Sequence, residues 1–409
     1  MKKCLCSTGS MKILFSKLLG IIRKRNLKVT LLGIGPMSSE VIYAGLELAR
    51  EFDFPLILIA SRNQIDSKEF GGGYVNGWDQ KEFSSAIDKM AEEVGFKGLL
   101  YKCRDHGGPW QRDKEKKEKL SPNEAMDIAK KSFLADMEAG FNLLHIDPTK
   151  DPHRKDTNLI IERTIELVEF LENERKNRGL GEVGYEVGTE DIQGGLTQNS
   201  VFRDFLIELT TKLKKKNLPM PDFIVGQTGT LVKMTENVWG GSSYKAKELV
   251  SIAQEFGIGF KEHNADYLDK KILEGHPSIG ITASNVAPEF GVAQTKAYLK
   301  LAEEAGDLRF ISSFEEAVVK SNRWQKWLFK EDEGLTVEAL TNDKKKLRHV
   351  TEACGHYVLE EPEIKESISN LFKNTFTYNP ERFVRDSIKS AISKYVTAFN
   401  LKGLTSCLR

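Results

Sequence analysis

Asp105 and His106 stand side by side where an apolar run, 98–103, gives way to Gly107-Gly108-Pro109. An acid beside an imidazole at such a point is equipped to move a proton and to hold a cation. Seven other apolar runs are spaced along the chain, and most end on polar residues. Asn63 and Gln64 follow the run 55–60, ahead of Gly71-Gly72-Gly73-Tyr74. His145 and Asp147 close the run 142–146, and Gly188-Thr189-Glu190 follow the run 184–187. Later come Gln227-Thr228-Gly229, His263-Asn264-Ala265-Asp266 and Ser284-Asn285.

Imidazoles, carboxylates and amide oxygens together suit a divalent ion of the zinc, manganese or cobalt type. Such an ion polarises a carbonyl and stabilises an enediolate while Asp105 or a glutamate moves a proton, which is carbanion chemistry suited to a sugar. Three of the seven histidines, His106, His145 and His263, fall at these run ends. His106 and His263 are the ligand candidates. Strand alternation leaves His145 between the interior and the outer helix layer. Asn63, Gln64, His145, Asp147, Asp266, Ser284 and Asn285 are candidates for holding substrate. Plainer roles compete: Gly188-Thr189-Glu190 also suits a turn, and Gly71–Gly73 a flexible connection rather than a phosphate cradle.

Residues so far apart must be gathered by the fold. The runs 29–34, 55–60, 98–103, 142–146, 184–187, 223–225, 258–260 and 279–282 are continuously apolar or nearly so, as strands buried on both faces are. Segments of helical periodicity separate them, at 38–52, 121–140, 158–175, 201–215, 244–256 and 290–304. Ser121-Pro122-Asn123-Glu124 opens one with a capping box. Eightfold strand–helix alternation predicts a (β/α)8 TIM barrel over 27–306. An open doubly wound sheet is the alternative, but polar run ends recur around the whole set rather than at one crevice. The residues after 306 predict a C-terminal helical extension, 307–409, packed on the barrel or at a subunit interface. Residues 1–26 predict a short N-terminal capping helix; their basic and apolar stretches resemble a weak signal peptide but lack a cleavage site.

Lys+Arg 60 against Asp+Glu 59 gives a net charge of +1, no basis for nucleic acid or an anionic membrane as partner. No apolar run reaches membrane-spanning length, and scattered cysteines suit a reducing cytoplasm.

These motifs resemble the so-called non-catalytic Z subunit of class II D-tagatose-1,6-bisphosphate aldolase. The resemblance rests on Asn63-Gln64 with the Gly-Gly-Tyr element, Asp105-His106-x-Gly-Pro109, Ala139-Gly140-Phe141 leading to His145-Ile146-Asp147, Gly188-Thr189-Glu190 before Gly194-Gly195, and His263-x-x-Asp266-Tyr267. It implies kinship with zinc-dependent (β/α)8 aldolases, in which the Asp of the Asp-His pair donates a proton and the His binds metal. On that pattern Asp105 and Glu190 are the catalytic carboxylates, and His106, His263 and Gln227 the metal ligands. Gln227 takes a place where a histidine is expected, and Asn264-Ala265-Asp266 replaces a Gly-Gly-Ser phosphate loop. The resemblance implies reversible aldol chemistry or C4 epimerisation on a ketose or ketose phosphate of the tagatose or fructose type. It equally implies a stabilising role beside a separate catalytic aldolase subunit. A homo-oligomer is a further expected assembly.

Overall fold

In the computed structural model, residues 14–154, 156–189 and 196–409 are described. Eight parallel strands close into a barrel: β1 (Leu31–Ile34), β2 (Leu56–Ser61), β3 (Leu100–Gly107), β4 (Leu143–Ile146), β5 (Gly184–Gly188), β6 (Phe223–Val225), β7 (Gly259–Glu262) and β8 (Ala283–Val286). β1 pairs with both β2 and β8, which closes the ring. The open sheet is excluded. The protein is a (β/α)8 barrel with a C-terminal helical extension.

Helices lie between successive strands, several of them held at their start by a capping side chain. Pro122–Glu138 starts on the Ser121/Glu124 capping box read in the sequence. Gln80–Val94, not anticipated, opens on a second box in which Asp79 accepts from the Glu82 backbone and Glu82 returns the bond. Lys270–Ile279 was also missed; it is short and contains Pro277, which weakens its pattern. Ile279 therefore ends a helix. The last strand begins at Ala283, so Ser284 and Asn285 lie within it rather than beyond it.

The barrel floor is apolar. The helix Phe15–Lys24 puts Phe15 against Tyr101 and Phe223, at ring separations of 4.4 and 5.9 Å. The helices Leu308–Ser321, Lys344–Cys354, Pro362–Asn374 and Pro380–Ala398 make up most of the extension. No helix of the described residues is long and apolar enough to cross a membrane.

Candidate active site

Alternation along a strand should send Asp105 and His106 to opposite faces. A bulge prevents this. The β3–β4 register shifts between Arg104 and Gly107, and His106 adopts φ +43°, the left-handed region that non-glycine residues rarely enter. The bulge turns both side chains toward the barrel mouth. Strain of this kind persists only where surrounding contacts hold it.

Those contacts are present. His106 Nδ1 lies 2.8 Å from Asp147 Oδ2, and the His106 backbone N–H donates to His145 Nδ1 at 3.3 Å. From β7, His263 places Nδ1 3.1 Å from His106 Nε2 and Nε2 2.8 Å from Glu186 Oε1. His145 Nδ1 lies 3.5 Å from the same Glu186 oxygen. Asp105 Oδ1 accepts from Asn285 Nδ2 at 2.9 Å and sits 3.8 Å from His263 Nε2. Two glycines make room. A Cβ at Gly188 would fall 2.8 Å from His145 Nε2, and one at Gly33 only 2.3 Å from Asn285 Oδ1.

Below this layer Lys261 Nζ donates to Glu186 Oε2 at 2.6 Å, both side chains buried. Burial opposes the charge on each. For Glu186 the ammonium of Lys261 and the flanking imidazoles win, holding its carboxyl well below the usual range. For Lys261 the carboxylates of Glu186 and Asp105 win, and its pKa is raised. Burial likewise works against Asp147, but the His106 hydrogen bond holds its carboxyl far below normal. Burial depresses His145, which favours the neutral imidazole that ligation requires.

The donor set fits a divalent metal. Asp147 and Glu186, both ionised, take the protons of His106 Nδ1 and His263 Nε2. This assigns lone pairs to His106 Nε2 and His263 Nδ1, which face each other at 3.1 Å. Two lone pairs that close repel unless a proton or a cation lies between them. A tetrahedral ion with bonds of about 2.0–2.1 Å spaces its ligands at about 3.3 Å. A carboxylate behind each ligating imidazole is the usual outer support of such ions. His106, His145 and His263 each offer a donor, all within 4.8 Å of one another, as do Asp105, His145, Glu186 and His263.

The other candidates separate. Gln227 spends its side-chain oxygen on the backbone N–H groups of Gly229 and Thr230, both at 2.8 Å. Asp266 accepts from the backbone of Ala287 and Glu289, where the helix Pro288–Ala305 begins. Ser284 faces the helix layer, with Oγ 3.3 Å from His276 Nδ1. Gln64 folds back on Ser61, and Asn63 ties the β2 loop to Gln111 and Asp113. Glu190 lies outside the described residues. Sequence reasoning gave no role to Glu186 or Lys261. Their signal was there: a charged residue in the middle of a run that is otherwise buried.

Residues 19–216 match a family model described as D-tagatose-1,6-bisphosphate aldolase subunit GatZ/KbaZ-like. This stretch, just under half of the chain, is similar to that family. The match takes in Asp105, His106, His145, Asp147 and Glu186. No curated protein matches the chain. Among solved structures, a "probable tagatose 6 phosphate kinase" from Sinorhizobium meliloti 1021 aligns with TM-score 0.74 at 18% identity, covering 90% of this chain and 100% of that one. The YdjI aldolase from Escherichia coli K12 aligns with TM-score 0.54 at 13% identity, covering 96% and 98%. A fructose-bisphosphate aldolase from Campylobacter jejuni gives 0.50 at 14% identity, covering 87% and 95%. At these identities the likeness is one of fold.

Proposed function

We propose that this chain is a metal-dependent enzyme acting on a ketose or ketose phosphate, by reversible aldol cleavage or C4 epimerisation. The observation that carries it is the approach of His106 Nε2 and His263 Nδ1 to 3.1 Å, with a carboxylate behind each ring. His106 and His263 would hold the metal, zinc first, with manganese or cobalt as substitutes, and His145 would join them only on releasing the His106 N–H from its Nδ1. When bound, it supplies Lewis-acid polarisation of a substrate carbonyl. Asp147 and Glu186 fix the tautomers of the two facing rings. Asp105, kept in place by Asn285 and partly open to the mouth, gives or takes the proton at the substrate oxygen or carbon. Glu190 remains a candidate for a second proton carrier. The family description and the occupied oxygen of Gln227 favour a second reading, a helper docked on a separate catalytic subunit.

The deciding experiment uses the isolated chain, loaded in turn with zinc, manganese or cobalt. It is incubated with a panel of ketoses and ketose phosphates, scoring trioses and epimers. Turnover that chelation abolishes is the expected result. An inert metal-loaded chain that raises the activity or half-life of a separate aldolase subunit would make it a helper.

A further inference from the structure

Part of the C-terminal extension reaches over the barrel mouth. The carbonyl of Trp327 accepts from the Met234 backbone at 3.0 Å, and that of Lys326 accepts from Lys233 Nζ at 2.9 Å. Both partners lie in the loop after β6. Lys326 Nζ also meets Asp113, in the loop after β3, at 3.0 Å. Four residues before Trp327, Arg323 reaches Tyr74 in the loop after β2. β2 and β6 stand opposite each other in an eight-stranded ring, so this short segment spans the mouth from rim to rim.

Arg323 is held in an unusual way. Its guanidinium carbon lies 5.1 Å from the ring centroids of both Tyr74 and Tyr357. Cation–π contact holds the group in place but uses none of its five N–H donors. No carboxylate or carbonyl among the described residues accepts from it, whereas neighbouring Lys326 is paired with Asp113. A second observation comes from His356. Only 2% exposed, it has both ring nitrogens without a partner among the described residues. Its ring lies 4.1 Å from that of Tyr357 and 6.2 Å from that of Tyr74. The cluster also connects to the chemistry below. Tyr74 and Gln64 both touch Met37 Sδ, Gln64 bonds Ser61, and Ser61 is the β2 register partner of Asp105.

We infer that Arg323 recognises the anionic end of the substrate, a phosphate or a carboxylate carried by the sugar chain. Aromatic faces on the guanidinium leave its edge for a planar, bidentate oxyanion contact, the geometry arginine offers and lysine does not. This rests on the proposed sugar chemistry only for what the anion is attached to.

The test is calorimetric titration of the full chain with inorganic phosphate and, separately, malonate. Wild type should bind at least one. Arg323→Met should weaken that binding about 10-fold or more, in line with loss of a charge-assisted pair, and Lys326→Ala should change it by less than about 2-fold. Stronger binding of phosphate assigns a phosphorylated ketose; stronger binding of malonate assigns a sugar acid. If neither anion binds wild type, or a correctly folded Arg323→Met binds like wild type, the proposal is overturned. Should Arg323→Met fail to fold, Arg323→Lys carries the test, since it keeps the cation and loses the fork. An affinity within about 2-fold of wild type would then overturn the idea. A chain inert on every ketose that still binds phosphate through Arg323 would sink the enzyme reading and leave Arg323 as an oxyanion site without a substrate.

Discussion

Among the described residues the Asp105 side chain has one hydrogen-bond partner, Asn285, and it faces the mouth, so its loss should be felt in chemistry before stability. Asp105→Asn is expected to lower turnover about 100-fold or more while the thermal midpoint stays near that of wild type. Equal losses of activity and stability would make Asp105 a structural anchor instead. Lys261 should behave in the opposite way. Removing it leaves Glu186 buried without its cation, so Lys261→Met is expected to cost about 3–5 kcal/mol in urea unfolding. The double variant Lys261→Met/Glu186→Leu should recover much of that, and additive losses would argue against the pair acting as a unit. At this scale the sequence was legible where residue type alone decides. Asp105, His106 and His263 are gathered as their run-end positions imply. His145 was left open because alternation fixes a side-chain direction only once the register is known. The bulge at His106 could not be read at all: it is a backbone event, and nothing in Cys103-Arg104-Asp105-His106 announces a left-handed residue.

Among the elements, a capping signal helped only where it was recognised: Pro122–Glu138 was read within a few residues, whereas Gln80–Val94, with an equally complete capping box, and Lys270–Ile279, which has no side-chain cap, were both missed. The eighth strand was placed too early because Ile279–Thr282 is the more apolar stretch. The pairing of Leu31 with Ala283 fixes the strand later. That error made Ser284 look like a mouth residue. Asp266 shows the same limit, since a polar residue after a strand serves a cap as well as a substrate. Here it accepts from two backbone N–H groups at the start of Pro288–Ala305. Burial, with the nearby Glu289, pushes its carboxyl up to about 7, against the pull of those N–H groups. The folded protein therefore holds this proton more tightly than the unfolded chain, where an aspartate titrates near 4. The stabilisation it brings is complete below about pH 4 and is lost as the pH rises through about 7. Asp266→Asn keeps the acceptor and removes the titration. Wild type should lose stability relative to this variant between about pH 4 and 7, and turnover should change by less than about 3-fold. Parallel stability curves would show that Asp266 is ionised in the folded state.

At the scale of the whole molecule, the extension and the barrel share a core and a set of backbone bonds. Phe399 O accepts from the Thr30 backbone just before β1, and Gly403 N–H donates to Phe52 O. Tyr395 packs its ring 5.9 Å from Phe290 and points its hydroxyl at Glu289 and the Ala265 carbonyl, beside the β7 loop that carries His263. Arg25, just after the floor helix, donates to the carbonyl of Cys407. The extension thus touches both ends of the barrel. Its aromatic residues gave no sign of this in the sequence, because their spacing is irregular and each meets a different partner. Ending the chain after Gly306 would uncover the apolar faces of Pro288–Ala305 and Ser39–Phe52, two of the barrel helices against which Pro380–Ala398 lies. It would also remove Arg323 from the mouth. Exposed surface of that kind drives association, so the truncated chain is expected to aggregate or to melt well below the full chain in calorimetry. A 1–306 fragment that stays soluble and monomeric, with an unchanged melting temperature, would show that the barrel closes and stands without its extension.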